Sequence, residues 1–203
     1  MRKQDITKIV ELQKIAFPYM AAEGVYWRPK ELDAHLMVFP EGQFCADYDG
    51  KIIGSCSSLI ITLKPEYKEH TWREACGGSF FKNHDPSGDT LYAADVSTHP
   101  NYRRLGIATK LYNARKELAV KLDLRRIIAG GRIFNYCNYA YSLSPKEYVK
   151  NVISGKIREP VLSFQLRNGF SFIKILPNYL KDPRSLNYAT FIEWKNPHHI
   201  DKR

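Results

Sequence analysis

His99-Pro100-Asn101-Tyr102-Arg103-Arg104-Leu105-Gly106-Ile107-Ala108-Thr109-Lys110-Leu111 stands where a strand-like run, Leu91 to Thr98, gives way to an amphipathic one. Downstream, Ile107, Leu111, Ala114, Leu118 and Leu122 fall on one helical face, which predicts a helix from about Gly106 to Leu122. A helix start presents unpaired N–H groups and the positive end of the helix dipole. Gly106 lets the backbone approach a ligand closely and Ala108 is small, so a pyrophosphate fits such a turn. Taken alone, Arg-x-x-Gly-x-Ala equally describes a plain turn with solvated arginines.

Working outward, Ile127 to Gly130 is a further short strand. Strand, turn, helix and strand then make a βαβ unit with two neighbouring parallel strands. Upstream, Phe44 to Tyr48 and Lys51 to Leu63 are strand-like and Asp49-Gly50 between them signals a hairpin. Asp5 stands as the cap of a helix running from Ile6 towards Phe17, ended by Pro18, and a weaker helix follows Pro29. Residues 64–89 read as a long irregular connection. Ser144-Pro145-Lys146-Glu147 combines a capping box with proline at the first helical position, and Gly155 closes that helix. Val161 to Arg167 predicts a short helix before Asn168-Gly169, and strands at Phe170 to Ile175 and Tyr188 to Trp194 finish the chain. Residues 1–203 are therefore expected to form one α/β domain.

The 203 residues are 44% hydrophobic, and no stretch approaches the roughly 18–20 apolar residues of a spanning helix. The N-terminus has no apolar signal region, so the expectation is a soluble, cytoplasmic protein with no membrane partner. Lys and Arg outnumber Asp and Glu by 31 to 21, which suits an anionic partner. From Arg103 to Arg132 the basic residues are Arg103, Arg104, Lys110, Arg115, Lys116, Lys121, Arg125, Arg126 and Arg132, against Glu117 and Asp123: a local excess of seven. Cys45, Cys56, Cys76 and Cys137 show no metal-ligand spacing, so no metal is expected and free thiols are.

In that context the His99–Leu111 stretch closely resembles the acyl-CoA-binding motif of the GCN5-related N-acetyltransferases, the GNAT family. Ala46 to Ser55 resembles the family's early hairpin, Asn168-Gly169-Phe170 its Gly-Phe before the penultimate strand, and Trp194 its last strand. Leu111 to Arg115, Ala129-Gly130-Gly131-Arg132 and Pro160 to Phe170 look closest to GNAT domains found beside carbon–nitrogen hydrolases. The length leaves no room for such a hydrolase within the chain, so a free-standing version is expected. The resemblance implies a central mixed sheet with a splayed pair of parallel strands, flanked by helices.

It also implies a site. Acetyl-CoA would enter between the splayed strands, its pyrophosphate on the backbone of Arg104, Gly106, Ile107, Ala108 and Thr109, with Arg103 at the motif's Gln/Arg position. Its pantetheine arm would lie along Val96 and Thr98. An amine would attack the thioester directly, and with a pKa near 10.4 it needs a base at neutral pH. Asp95, Tyr92 and His99 are the candidates, Asp95 first and Tyr92 second; the alternatives are a plain strand-end carboxylate for Asp95, a packing role for Tyr92 and a place in the turn for His99. Many family members carry an acidic Tyr four residues before the Gly of Gly-Phe; here that position is Gln165. The insert of about residues 135–157, with Asn135, Asn138, Tyr136, Tyr139, Tyr141 and Tyr148, is expected on the acceptor side, with a structural role or a homodimer contact as alternatives.

Three functions compete. An N-acetyltransferase moving an acetyl group to a primary amine of unknown identity ranks first. A non-catalytic acyl-CoA sensor, motivated by Gln165, ranks second. A nucleic-acid-binding protein ranks third, because helix geometry spreads Lys110, Arg115, Lys116 and Lys121 in several directions.

Overall fold

The computed structural model describes residues 1–200. Six strands form one mixed sheet: β1 (Gln43–Tyr48), β2 (Lys51–Ile61), β3 (Thr90–Thr98), β4 (Arg126–Arg132), β5 (Ser171–Leu176) and β6 (Ala189–Lys195). Their order is β1-β2-β3-β4-β6-β5, with β3 and β4 parallel and every other pair antiparallel. One face is covered by α1 (Ile6–Ala16), α2 (Pro18–Ala22), α3 (Pro29–Val38) and the short α4 (Trp72–Ala75). There Ile9, Leu12, Trp27, Leu32 and Phe81 pack onto Leu59, Tyr92 and Phe191. The other face is covered by α5 (Ile107–Lys121), α6 (Pro145–Ile153) and α7 (Pro160–Arg167), where Tyr112, Leu118, Tyr148, Val152 and Leu162 meet Leu91, Ile127 and Ile192. No helix among the described residues is long and apolar enough to cross a membrane.

Local signals account for most boundaries. Asp49 and Gly50 both take positive φ (50° and 76°), the geometry a two-residue hairpin demands. Ser144 accepts from the Glu147 N–H while Glu147 accepts from the Ser144 N–H at 2.8 Å, so the capping box forms. Asp5 departs from expectation: its carboxylate accepts from the Arg2 N–H at 2.7 Å and makes no side-chain cap on α1. The connection over 64–89 is more ordered than its composition suggests, because Thr71 caps α4 through the Glu74 N–H and residues 77–81 form a tight turn with positive φ at Gly77, Gly78, Ser79 and Phe81. All four cysteines are free.

At the base of the β3–β4 pair, Arg126 and Glu193 form a buried ion pair at 3.1 Å. The Arg126 Nε also donates to Thr90 Oγ1 at 3.0 Å, and Tyr67 donates its hydroxyl to Glu193 at 2.9 Å. Removing one partner of a buried pair strands the other charge in a low dielectric. We therefore expect Glu193→Ala to lower unfolding stability by about 3–5 kcal/mol, read as a fall in the urea midpoint; an unchanged midpoint would show that the pair is not stabilising.

Candidate active site

Only the first three residues of β3 and β4 pair: Thr90 with Arg126, Leu91 with Ile127 and Tyr92 with Ile128. Beyond Tyr92 the strands diverge, and β3 stays paired with β2 alone up to Thr98. The gap opens into two joined cavities, an outer groove of about 1050 Å³ and an inner chamber of about 190 Å³. Phe17, Met20, Val96, Tyr112, Arg132, Val161 and Gln165 line both, and so mark the joint between them.

The outer groove runs to the N-terminus of α5. Val96, Thr98, Arg103, Arg104, Gly106, Ile107, Ala108 and Thr109 all line it. Arg104 (φ 66°) and Gly106 (φ 79°, ψ 3°) both take left-handed conformations, so the chain turns tightly into the helix. A side chain at Gly106 is strained at that φ, which is the local reason for glycine there. The first helical bond is made by the Lys110 N–H to the Gly106 carbonyl at 3.0 Å, leaving the preceding amides of the first turn to a ligand or water. The Arg103 guanidinium donates to the Ala16 carbonyl at 2.9 Å, tying the turn to the end of α1. Sequence reading missed three further arginines on this groove, Arg158, Arg167 and Arg184. They surround it with positive charge, while its two carboxylates are engaged within the fold: Asp182 pairs with Arg132 at 3.1 Å, and Glu159 accepts from the Leu162 and Phe134 N–H groups.

Asp95 lines the inner chamber. Ser57 faces Asp95 but Ser58 faces Ala93, so Ala94 is an extra residue and the bulge turns the following carboxyl out of the regular alternation. The Ser57 N–H donates to Asp95 Oδ1 at 2.8 Å, and Trp27 adds a side-chain hydrogen bond. Burial raises the Asp95 pKa, opposed in part by the Arg115 guanidinium and by these hydrogen bonds. Arg115 is itself fixed, donating to Ser58 Oγ (3.0 Å), to the Ser57 carbonyl (2.9 Å) and to the Asp95 carbonyl.

The other two base candidates sit away from the chamber. Tyr92 is fully buried and lines neither cavity; its hydroxyl bonds Tyr179 at 2.7 Å and His70 at 3.3 Å, and desolvation pushes its pKa far up. The phenol facing the chamber from this pair is Tyr179. His99 belongs to its turn, where Nδ1 accepts from the Asn101 N–H at 3.2 Å. Gly130 and Gly131 explain how distant side chains reach the gap. A Cβ at Gly130 would lie 2.1 Å from the Tyr179 ring, and one at Gly131 would lie 2.3 Å from Gln165 Oε1. The two glycines thus let Tyr179 and Gln165 lie flat across β4.

The insert does not wall this chamber: no residue from 135 to 157 lines either cavity. Its Tyr136 and Tyr148 are buried in the core beneath α6, because the strongly one-sided apolar face of that helix needs a partner. The walls come from Phe17, Tyr26, Trp27 and Trp72 instead. The basic segment is likewise absorbed by the fold. Of its nine cations, Arg103, Arg115, Lys116, Arg125, Arg126 and Arg132 bond carbonyls, hydroxyls or carboxylates of other elements.

Comparison with known proteins agrees with this geometry. The acetyltransferase (GNAT) family profile matches residues 6–136. The chain is 44% identical over 192 residues to the uncharacterized N-acetyltransferase YkwB of Bacillus subtilis (strain 168), covering 95% of this chain and 85% of that protein. It is 46% identical over its whole length to the probable hydrolase YhcX of the same organism, of which it spans only 39%. Among solved structures, the loading GNATL domain of CurA from Lyngbya majuscula superposes with a TM-score of 0.82 (20% identity, 98% and 96% of the two chains). The GphF GNAT-like decarboxylase in complex with isobutyryl-CoA gives 0.77 (19%, 97% of each). The acetyltransferase yncA from Salmonella typhimurium with its cofactor acetyl-CoA gives 0.57 (16%, 98% and 92%). With a family match over most of its length and a splayed β3–β4 pair facing the turn into α5, the chain belongs to the GNAT family of N-acetyltransferases, enzymes that draw on acetyl- or acyl-CoA.

Proposed function

We propose that the chain moves an acetyl group from acetyl-CoA to a small primary amine by direct attack on the thioester. The observation that carries this reading is the joint: a cationic groove at one end and a carboxylate-bearing chamber at the other meet at seven shared residues. In this reading the pyrophosphate rests on Arg104, Gly106, Ile107, Ala108 and Thr109 beside Arg103, and pantetheine follows the strand edge freed at Val96 and Thr98. A backbone N–H of that edge polarises the thioester carbonyl as negative charge develops on its oxygen.

The amine enters the inner chamber as an ammonium and gives a proton to Asp95 before its nitrogen attacks. Burial supports that role, because a carboxyl with a raised pKa is a stronger base once ionised. The chamber's walls suggest the acceptor class. Trp27 and Trp72, with ring centroids 4.5 Å apart, stand beside Phe17, Tyr26 and Leu180, so an apolar or aromatic body fits and an ammonium gains from the ring faces.

Calorimetric titration with acetyl-CoA, CoA and isobutyryl-CoA, followed by thiol release across a panel of amines, tests the proposal. Isobutyryl-CoA is included because the GphF decarboxylase complex holds that ligand. Micromolar acetyl-CoA binding and faster CoA release with apolar amines than with acidic ones is the expected result. Acyl-CoA binding that no amine converts to turnover would sink the direct-attack reading.

A further inference from the structure

Of the seven residues at the joint, Tyr112 alone brings an O–H, and it comes from α5, whereas the position four residues before Gly169 supplies only the Gln165 amide. Tyr112 is 4% exposed, with its ring held edge-to-face by Phe164 (5.0 Å) and Phe170 (5.4 Å). Gln165 lines the same joint and acts on this hydroxyl, drawing the Tyr112 pKa down against burial. Gln165 Oε1 has no partner, so it accepts no proton from the phenol, and the lowering effect is that of the amide N–H side facing the phenol oxygen. The phenol proton is therefore not used within that pair. It sits between the groove that suits pantetheine and the chamber that holds Asp95, where a thioester bridging the two cavities must lie.

We propose that Tyr112 is the proton donor to the departing CoA sulfur, with Gln165 as the residue that positions it. This rests on the acyl-transfer reading above. Asp95 first takes a proton from the ammonium and passes it to solvent, which frees the lone pair; the nitrogen then forms the new C–N bond and loses its second proton to Asp95. The C–S bond breaks with its electron pair going to sulfur, and the Tyr112 O–H passes its proton there. Solvent restores the Tyr112 proton and takes the one on Asp95, so the products are the amide and CoA thiol. Burial raises the Tyr112 pKa, which keeps the phenol protonated through neutral pH. Arg132, the other charged group at the joint, is already paired with Asp182.

The test compares wild type with Tyr112→Phe, which keeps the ring and its packing, and with the double variant Tyr112→Phe/Gln165→Tyr. A positioned general acid contributes on the order of 10²-fold or more. We expect kcat to fall about that much in Tyr112→Phe with the acetyl-CoA dissociation constant within twofold, and the alkaline limb of the pH profile to vanish. The double variant returns a phenol to the joint from α7 and should recover part of kcat. Bound CoA provides a second readout, since its thiol pKa, followed by thiolate absorbance, should be lower in wild type than in Tyr112→Phe. Wild-type kcat and an unchanged thiol pKa in Tyr112→Phe would overturn the proposal and leave acyl transfer standing. Failure of wild type to bind acetyl-CoA would overturn the acyl-transfer reading, and this proposal with it.

Discussion

Gly106→Glu is expected to abolish acetyl-CoA binding, raising the dissociation constant at least about 100-fold, or about 2.7 kcal/mol. Gly106 is the residue at which the chain enters α5, with φ at 79°, and the space beside it is open, so bulk alone displaces nothing within the protein. The damage comes from charge. A carboxylate at a helix start accepts from the same first-turn N–H groups that a pyrophosphate needs and repels the phosphates as well. Gly106→Ala separates the effects: it carries the backbone strain, roughly 1–2 kcal/mol, without the charge. We expect it to lower the melting temperature yet bind within about 30-fold, since that strain is worth about 1.5 decades of affinity at most. Equal losses in both variants would show that strain rather than charge empties the site.

Asp95→Asn is expected to reduce turnover about 10²- to 10³-fold near neutral pH, within the usual range for a general base. The pH dependence identifies the cause. Burial holds the Asp95 pKa above the ordinary carboxylate range, so wild-type activity should rise with pH as that group ionises, and the variant should lack this rise. Towards the pKa of the amine itself, about 10.4, the two enzymes should converge, because the nucleophile no longer needs a base. Stability gives an independent check with a definite sign. Between the unfolded pKa of about 3.9 and the raised native value, the native state binds more protons than the unfolded one. Wild type therefore loses stability as pH rises through that window, and Asp95→Asn, which does not ionise, should lack this loss in urea unfolding at several pH values. A loss of activity that is constant with pH would remove Asp95 from the role of base.

How far the site was legible differs from residue to residue. All eight residues read from the motif around Arg103–Thr109 and from Val96 and Thr98 line the outer groove, since they are contiguous or nearly so and their geometry is a matter of local backbone. The base candidates divided because a break in strand alternation is not legible from composition. The bulge at Ala94 brings Asp95 to the chamber, while Tyr92 stays in the core behind Tyr179. For the insert, the structural alternative accounts for two of the tyrosines. Its tyrosines follow β4 directly, but Tyr136 and Tyr148 serve the apolar face of α6, and burying that surface outweighs lining a wet pocket.

By itself the sequence determined what short-range physics controls: the hairpin at Asp49-Gly50, the capped helix after Ser144, and the strand–turn–helix through Gly106, with it the α/β class and the anion-binding turn. Each depends on φ preference, capping or periodicity within a few residues. Tertiary structure alone decided which side chains share the gap. Trp27, Trp72, Tyr112, Gln165 and Tyr179 come from five segments and meet because β3 and β4 part after Tyr92 and Gly130-Gly131 leave room across β4. Tertiary structure also disposed of the charge excess, through carboxylates and carbonyls such as those of Glu193, Asp182 and Ser57 that lie far from their arginines along the chain. Such pairings depend on how packed elements are oriented, and no local preference encodes that.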